Sequence, residues 1–182
     1  MTMSRQPLPI LGLLLVLVLM LRSAASASVP AGYQSVANAY QIPPEVLYAI
    51  GLTESARRID STGNLRPWPW TLNVRGRGHF FASQQAAWDA LRRALDQGTT
   101  SIDIGLMQVN WRYHRDRLGS ALRALDPYHN LRVGAEILQA CFKDRQDWWE
   151  AVGCYHAPNN AERAAGYRAR VFKHWQRLTG HG

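Results

Sequence analysis

The chain carries only five glutamates, and one of them stands where a carboxyl could act as a proton donor. Pro43-Pro44 opens a helix, because proline is tolerated in a first turn. Val46, Leu47 and Ile50 then follow with helical spacing. At about 100° per residue, with Val46 at zero, Ile50 falls near 40°, Glu54 near 80° and Leu47 near 100°. Glu54 therefore lies inside the apolar arc of its own helix. A carboxyl there is partly desolvated, which disfavours the anion and raises its pKa. A general acid working near neutral pH requires that. The same spacing also allows a helix-terminal glutamate turned to solvent. Glu45 sits in a first turn, where it favours the helix dipole. Glu136 lies away from the Leu131–Ala135–Leu138–Phe142 stripe, Glu162 opens the last helix, and Glu150 is undecided. No aspartate is obviously paired with Glu54 in sequence, so the signal is one unusual carboxylate and not a dyad.

Two other clusters set polar groups among apolar ones. Ile104-Gly105-Leu106-Met107-Gln108-Val109-Asn110 offers a glycine, a flexible methionine and two amides, which can orient a sugar or simply satisfy the backbone of a buried turn. Cys154-Tyr155-His156-Ala157-Pro158 ends a helix with a phenol and an imidazole. Tyr155 could equally be a core aromatic, and His156 a cation favoured by the helix dipole. Six histidines occur without HExxH or other metal spacing, so no metal site and no cofactor are expected. The two cysteines, Cys141 and Cys154, would form one short-loop disulfide in an oxidising compartment; buried free thiols are the other option.

The elements that must position these groups are mostly helical. Helices are expected over Ala31–Gln41, from Pro44 past Glu54, over Gln84–Gln97 behind a Ser83 cap, and from an Asn130 cap to Lys143. Two more are expected from Asp147 to His156 and from Ala161 to Leu178. Trp70–Val74 and His79–Ala82 alternate like two strands about the turn Arg75-Gly76-Arg77-Gly78, giving one small β-hairpin. The fold class expected is a compact, mostly α domain of this α+β kind.

Composition bounds the rest. The 182 residues fit one domain, and 47% hydrophobic residues with seven Trp and seven Tyr exclude a disordered or collagen-like chain. Residues 1–27 read as a secretory signal: Arg5, then the apolar run Ile10–Leu21, then the small-residue site Ala25-Ser26-Ala27. An uncleaved anchor is the alternative, although the run is short for a span of roughly 20 residues. The exported part, 28–182, keeps 19 Lys and Arg against 13 Asp and Glu, a net charge of +6 that favours a polyanionic partner.

The order of motifs resembles a family. Glu54-Ser55 closes an apolar helix, Gly105-Leu106-Met107-Gln108 follows, Asn130-Leu131 precedes a small-residue helix, and Tyr155 ends a helix in an aromatic motif. This is similar to the lytic transglycosylase (SLT) domain, with its goose-lysozyme-like core, in the exported single-domain form associated with conjugation, pilus and type IV secretion machinery. The resemblance runs from about Tyr33 to Tyr155. It implies that Glu54 is the catalytic acid and base, and that Ser55 supports it. It further implies that Met107, Gln108 and Asn110 line the sugar groove, and that Tyr155 points toward Glu54. Many members have Asn-Ala-Gly after that tyrosine, whereas this chain has His156-Ala157-Pro158. Trp68, Trp70 and Tyr113 could stack on sugar faces or pack in the core.

The implied substrate is the glycan strand of peptidoglycan, whose peptide stems and lactyl groups make it anionic. The implied place is the periplasm, the implied partners are secretion or pilus proteins, and the expected state is a monomer. Two rivals stand beside this reading. One is a hydrolase of the same fold, for which Asp103 is the only aspartate near the groove motif. The other is a non-catalytic peptidoglycan-binding scaffold. Nucleic-acid binding is disfavoured by the signal peptide and by the dispersed arginines.

Overall fold

A computed structural model describes residues 28–59 and 63–180. The expected signal peptide and its cleavage site lie outside the described residues. The helices are α1 (Ala31–Ala39), α2 (Pro44–Ser55), α3 (Gln84–Asp96), α4 (Trp111–Leu118), α5 (Ala121–Ala124), α6 (Pro127–Arg145), α7 (Trp148–His156) and α8 (Ala161–Thr179). The strands are β1 (Ala56–Arg58), β2 (Leu65–Pro67), β3 (Thr71–Val74), β4 (Arg77–Phe80), β5 (Ile102–Ile104) and β6 (Val109–Asn110). Among the described residues no helix is long and apolar enough to cross a membrane.

Helix α2 is the axis of the molecule. Val46, Leu47, Tyr48, Ala49, Ile50, Gly51 and Leu52 are all buried, so every side of it meets protein. Helices α1 and α8 pack on α2, α7 packs between α8 and α6, and α1 also touches α6. One contiguous core runs through these helices and the inner face of the sheet. Each fully buried aliphatic side chain in it contributes about 1.5–3 kcal/mol.

Local signals explain most helix ends. Ser83 accepts from the Ala86 N–H at 3.2 Å, Asp147 from Glu150 at 2.9 Å, and Asn160 from Arg163 at 2.9 Å, each satisfying an otherwise orphaned donor. Helix α6 departs from expectation. Its cap is Asp126, which accepts from the His129 N–H at 2.7 Å, and Pro127 occupies the first turn. Asn130 is not a cap but a fully buried residue inside the helix.

The single hairpin expected is part of a larger sheet. Four strands lie in the order β4-β3-β5-β6, all antiparallel, and β1 pairs with β2 in a separate ribbon. The β3–β4 turn is shorter than the four residues expected. Only Arg75 (φ 50°) and Gly76 (φ 83°) lie between the strands, and positive φ at both matches the twist of a two-residue connection. Strands β5 and β6 are too short to show alternation, and they escape a periodicity reading. So do α4 and α5.

The two cysteines are joined. The Cys141–Cys154 disulfide links α6 to α7 with the Cα atoms 5.8 Å apart.

Candidate active site

Glu54 lies in the last turn of α2, where the helix leaves the core and opens onto a cleft of about 980 Å³. The residue is partly buried, with its carboxyl withdrawn from water. Burial raises its pKa from 4.5 to about 7, and the nearby charge of Asp103 adds to the rise. A hydrogen bond from Tyr167 and the charge of Arg170 act against it.

Tyr167 is the residue that the sequence reading missed. It is buried in α8, and its hydroxyl donates to Glu54 Oε1 at 2.5 Å. Burial and the Glu54 charge hold the phenol well above its ordinary pKa, so it stays a neutral donor. With Oε1 accepting from Tyr167, the transferable proton of a neutral Glu54 belongs on Oε2. The only signal in sequence is the spacing Tyr167, Val171, Leu178 along one side of a long basic helix, which reads as core packing.

Tyr155 was expected to point at Glu54. Both residues line the cleft, and the Tyr155 phenol feels the Glu54 charge while its hydroxyl donates to the Met107 carbonyl at 2.7 Å. His156, the next residue, stacks on Tyr167 with ring centroids 4.4 Å apart and planes 2° from parallel. Burial and the charges of Arg170 and Arg163 lower its pKa, so the imidazole is neutral at pH 7. His156 therefore holds the phenol that holds the carboxyl.

The Gly105–Gln108 segment is the turn between β5 and β6. It is fastened from three sides. Asn130 accepts from the Met107 N–H at 3.0 Å and donates to the carbonyls of Ile104 and Ala124 at 2.9 and 3.2 Å. Gly105 has φ +79°, and a Cβ there would stand 2.6 Å from the Asn130 side chain, so only glycine fits. Ser55 donates to the Leu106 carbonyl at 2.7 Å, tying the turn to the residue beside Glu54.

These contacts redistribute the expected roles. Ser55 is 1% exposed and Met107 is 0% exposed, so both position the turn and neither presents surface to a sugar. Gln108 lines the cleft. Its Nε2 donates to the carbonyls of Gly105 at 2.9 Å and Thr71 at 3.2 Å, which turns the amide oxygen away as a free acceptor. Asn110 also lines the cleft, but its side chain caps α4 through Arg112 N and donates to Asp103 Oδ1 at 2.7 Å. Tyr113 reaches the cleft at 74% exposure; Trp68 and Trp70 pack against each other beyond its lining.

Asp103 is the second acid in the cleft. The antiparallel register places it between Asn73 of β3 and Asn110 of β6, and all three line the cavity. Burial raises its pKa, and the Asn110 hydrogen bond opposes the rise. Among the described residues no group of three His, Cys, Asp or Glu gathers as a metal site.

A half-buried acid with a midpoint near 7, oriented by a phenol and flanked by an amide-rich turn, is suited to protonating an ether oxygen in a bound chain. Comparison with curated proteins and with solved structures gives no match. The family profile described as "Transglycosylase SLT domain" matches residues 33–177, which covers the axis helix, the Gly105–Gln108 turn and both tyrosines. The chain belongs to the transglycosylase SLT domain family, a mostly helical, lysozyme-like family of peptidoglycan-acting enzymes.

Proposed function

We propose that this protein is an exported peptidoglycan lytic transglycosylase. It cleaves the β-1,4 bond between N-acetylmuramic acid and N-acetylglucosamine and leaves a 1,6-anhydro end. The observation that carries this reading is the cleft-lining Glu54 bonded by the buried Tyr167, with the acid's midpoint raised to about 7.

The steps follow from one carboxyl. Neutral Glu54 gives its proton to the glycosidic oxygen as the C1–O bond breaks. The acetamido carbonyl of the same sugar stabilises the oxocarbenium-like centre, a substrate-assisted route that needs no second enzymic nucleophile. Glu54, now an anion that Tyr167 stabilises, takes the proton from the muramic acid 6-hydroxyl. That oxygen bonds C1 and closes the anhydro ring. No water is consumed, and Glu54 ends neutral. The attacking hydroxyl is already attached to the reacting sugar, so the bimolecular entropy cost is absent.

The reading extends to place and purpose. The leader-like residues 1–27 and the disulfide support export to the periplasm, with local opening of the wall around a secretion, pilus or conjugation apparatus. Asp103 supports a second reading, hydrolysis, because it shares the cleft with Glu54 closely enough to raise that acid's pKa. Digestion of purified sacculi in heavy-oxygen water separates the two. Unlabelled 1,6-anhydro ends support the transglycosylase, labelled reducing ends support the hydrolase, and intact sacculi support neither.

A further inference from the structure

The cleft carries charge of opposite sign in different parts. The carboxyl of Glu54 feels the charges of Asp103 and Arg170. Arg117 of α4 and Arg163 of α8 line the same cavity, yet neither is among the charges that move Glu54. They come from two different helices of the lining. Among the described residues neither guanidinium forms an ion pair. The lining holds one more acid besides Glu54 and Asp103, Asp144, which Arg145 already holds at 3.1 Å.

Two imidazoles register the uncompensated charge. His114 is pushed toward its neutral form by burial and then by Arg117. His156 is pushed the same way by burial, Arg170 and Arg163. The cleft therefore presents two fixed cations beside two neutral imidazoles, with Tyr113 exposed on the same helix as Arg117 and Asp144 already held by Arg145. Guanidinium forks match carboxylates, which accept two parallel hydrogen bonds.

Resting on the peptidoglycan reading, we propose that Arg117 and Arg163 bind the carboxylates of a peptide stem carried by a muramic acid outside the scissile bond, so that the enzyme selects stem-bearing strands over stripped ones. The stem leaves the sugar through the lactyl ether, so a strand lying past Glu54 must send stems to the cleft walls. An arginine outside any ion pair on each of two lining helices gives such a stem a counter-charge, and the sheet side offers amides and Asp103 instead.

The test compares kcat/KM of the full chain on stem-bearing strands with kcat/KM on the same strands stripped by an amidase, which leaves only the lactyl carboxylate. The wild type is expected to favour stem-bearing strands. Arg117→Gln/Arg163→Gln lowers that ratio roughly tenfold, since charge complementarity acts mainly on selectivity. The Lys double variant restores part of the ratio, because charge returns without the fork. A ratio equal in wild type and Gln variant overturns the stem clamp, whatever happens to each rate, and a general loss of folding cannot imitate a changed ratio. Cleavage of neither substrate by the wild type overturns the peptidoglycan reading and the clamp together.

Discussion

Replacing Glu54 with glutamine separates catalysis from stability, and the sign of each effect follows from the site. Glutamine keeps the shape and still accepts from Tyr167, but it neither donates an acidic proton nor ionises. In the native protein the carboxyl titrates near 7; in the unfolded chain it titrates at its ordinary 4.5. Below 4.5 both states hold the proton, and the group adds no pH dependence. Between 4.5 and 7 the native state holds a proton that the unfolded state has lost, so stability falls as pH rises. Above 7 the whole cost of the buried anion is present. The displacement of the midpoint sets a ceiling of roughly 3 kcal/mol, and the opening to the cleft brings the expected cost to about 1–3 kcal/mol. Urea unfolding at pH 4 and pH 8 checks this for wild type and variant. The variant is expected to gain 1–3 kcal/mol over the wild type between those pH values, and to lose about 10²–10⁴ in cleavage of sacculi. Comparing two pH values cancels any constant effect of the substitution. A variant that gains no stability at pH 8 relative to pH 4 would falsify the desolvated carboxyl, and a variant that still cleaves sacculi would remove Glu54 from the chemistry.

Tyr167→Phe removes a donor that favours the carboxylate, so the Glu54 midpoint rises above 7 and the alkaline limb of kcat/KM moves to higher pH. The rate at pH 6 falls about tenfold from lost positioning; an unmoved limb in the pH–rate profile counts against the bond. Cys141→Ser/Cys154→Ser opens a cross-link of sequence separation 13 and costs roughly 3 kcal/mol, read from the urea midpoint under non-reducing conditions. Asn130→Ala strands the buried Met107 N–H and two carbonyls, at a cost on the order of 3 kcal/mol. A loss under 1 kcal/mol by the same measurement means that water replaces the amide.

The helical frame is legible because its signals are local. Ser83, Asp147 and Asn160 each announce a helix by a side chain that reaches only three residues forward. Asp126-Pro127 carries the same announcement, yet Asn130 competes with it, since asparagine is also a common cap. Tertiary structure decides the matter: the amide of Asn130 is taken by the Gly105–Gln108 turn, which no local rule foresees. Glu54 meets a related limit. An apolar arc has meaning on a helix with a wet side, and α2 has none. Glu54 meets the cleft because α2 ends there, and its carboxyl is desolvated because α8 lies across it.

The two groups that act most directly on Glu54 come from elements that touch α2 only in the folded chain. Tyr167 arrives through the packing of α8 on α2, and at the level of spacing it is indistinguishable from a core tyrosine. Asp103 arrives through β pairing, and its place between Asn73 and Asn110 depends on a register that three-residue strands do not encode in alternation. A search along the sequence for a partner to Glu54 thus finds a lone acid, whereas the fold supplies a phenol to orient it and a second carboxylate to raise its pKa. That pairing is compatible with either product, because a negative charge beside the reacting centre stabilises an oxocarbenium ion whichever oxygen closes on it. The outcome is decided by what reaches C1 first, and a hydroxyl already attached to the reacting sugar has the entropic advantage over water that must be held in place.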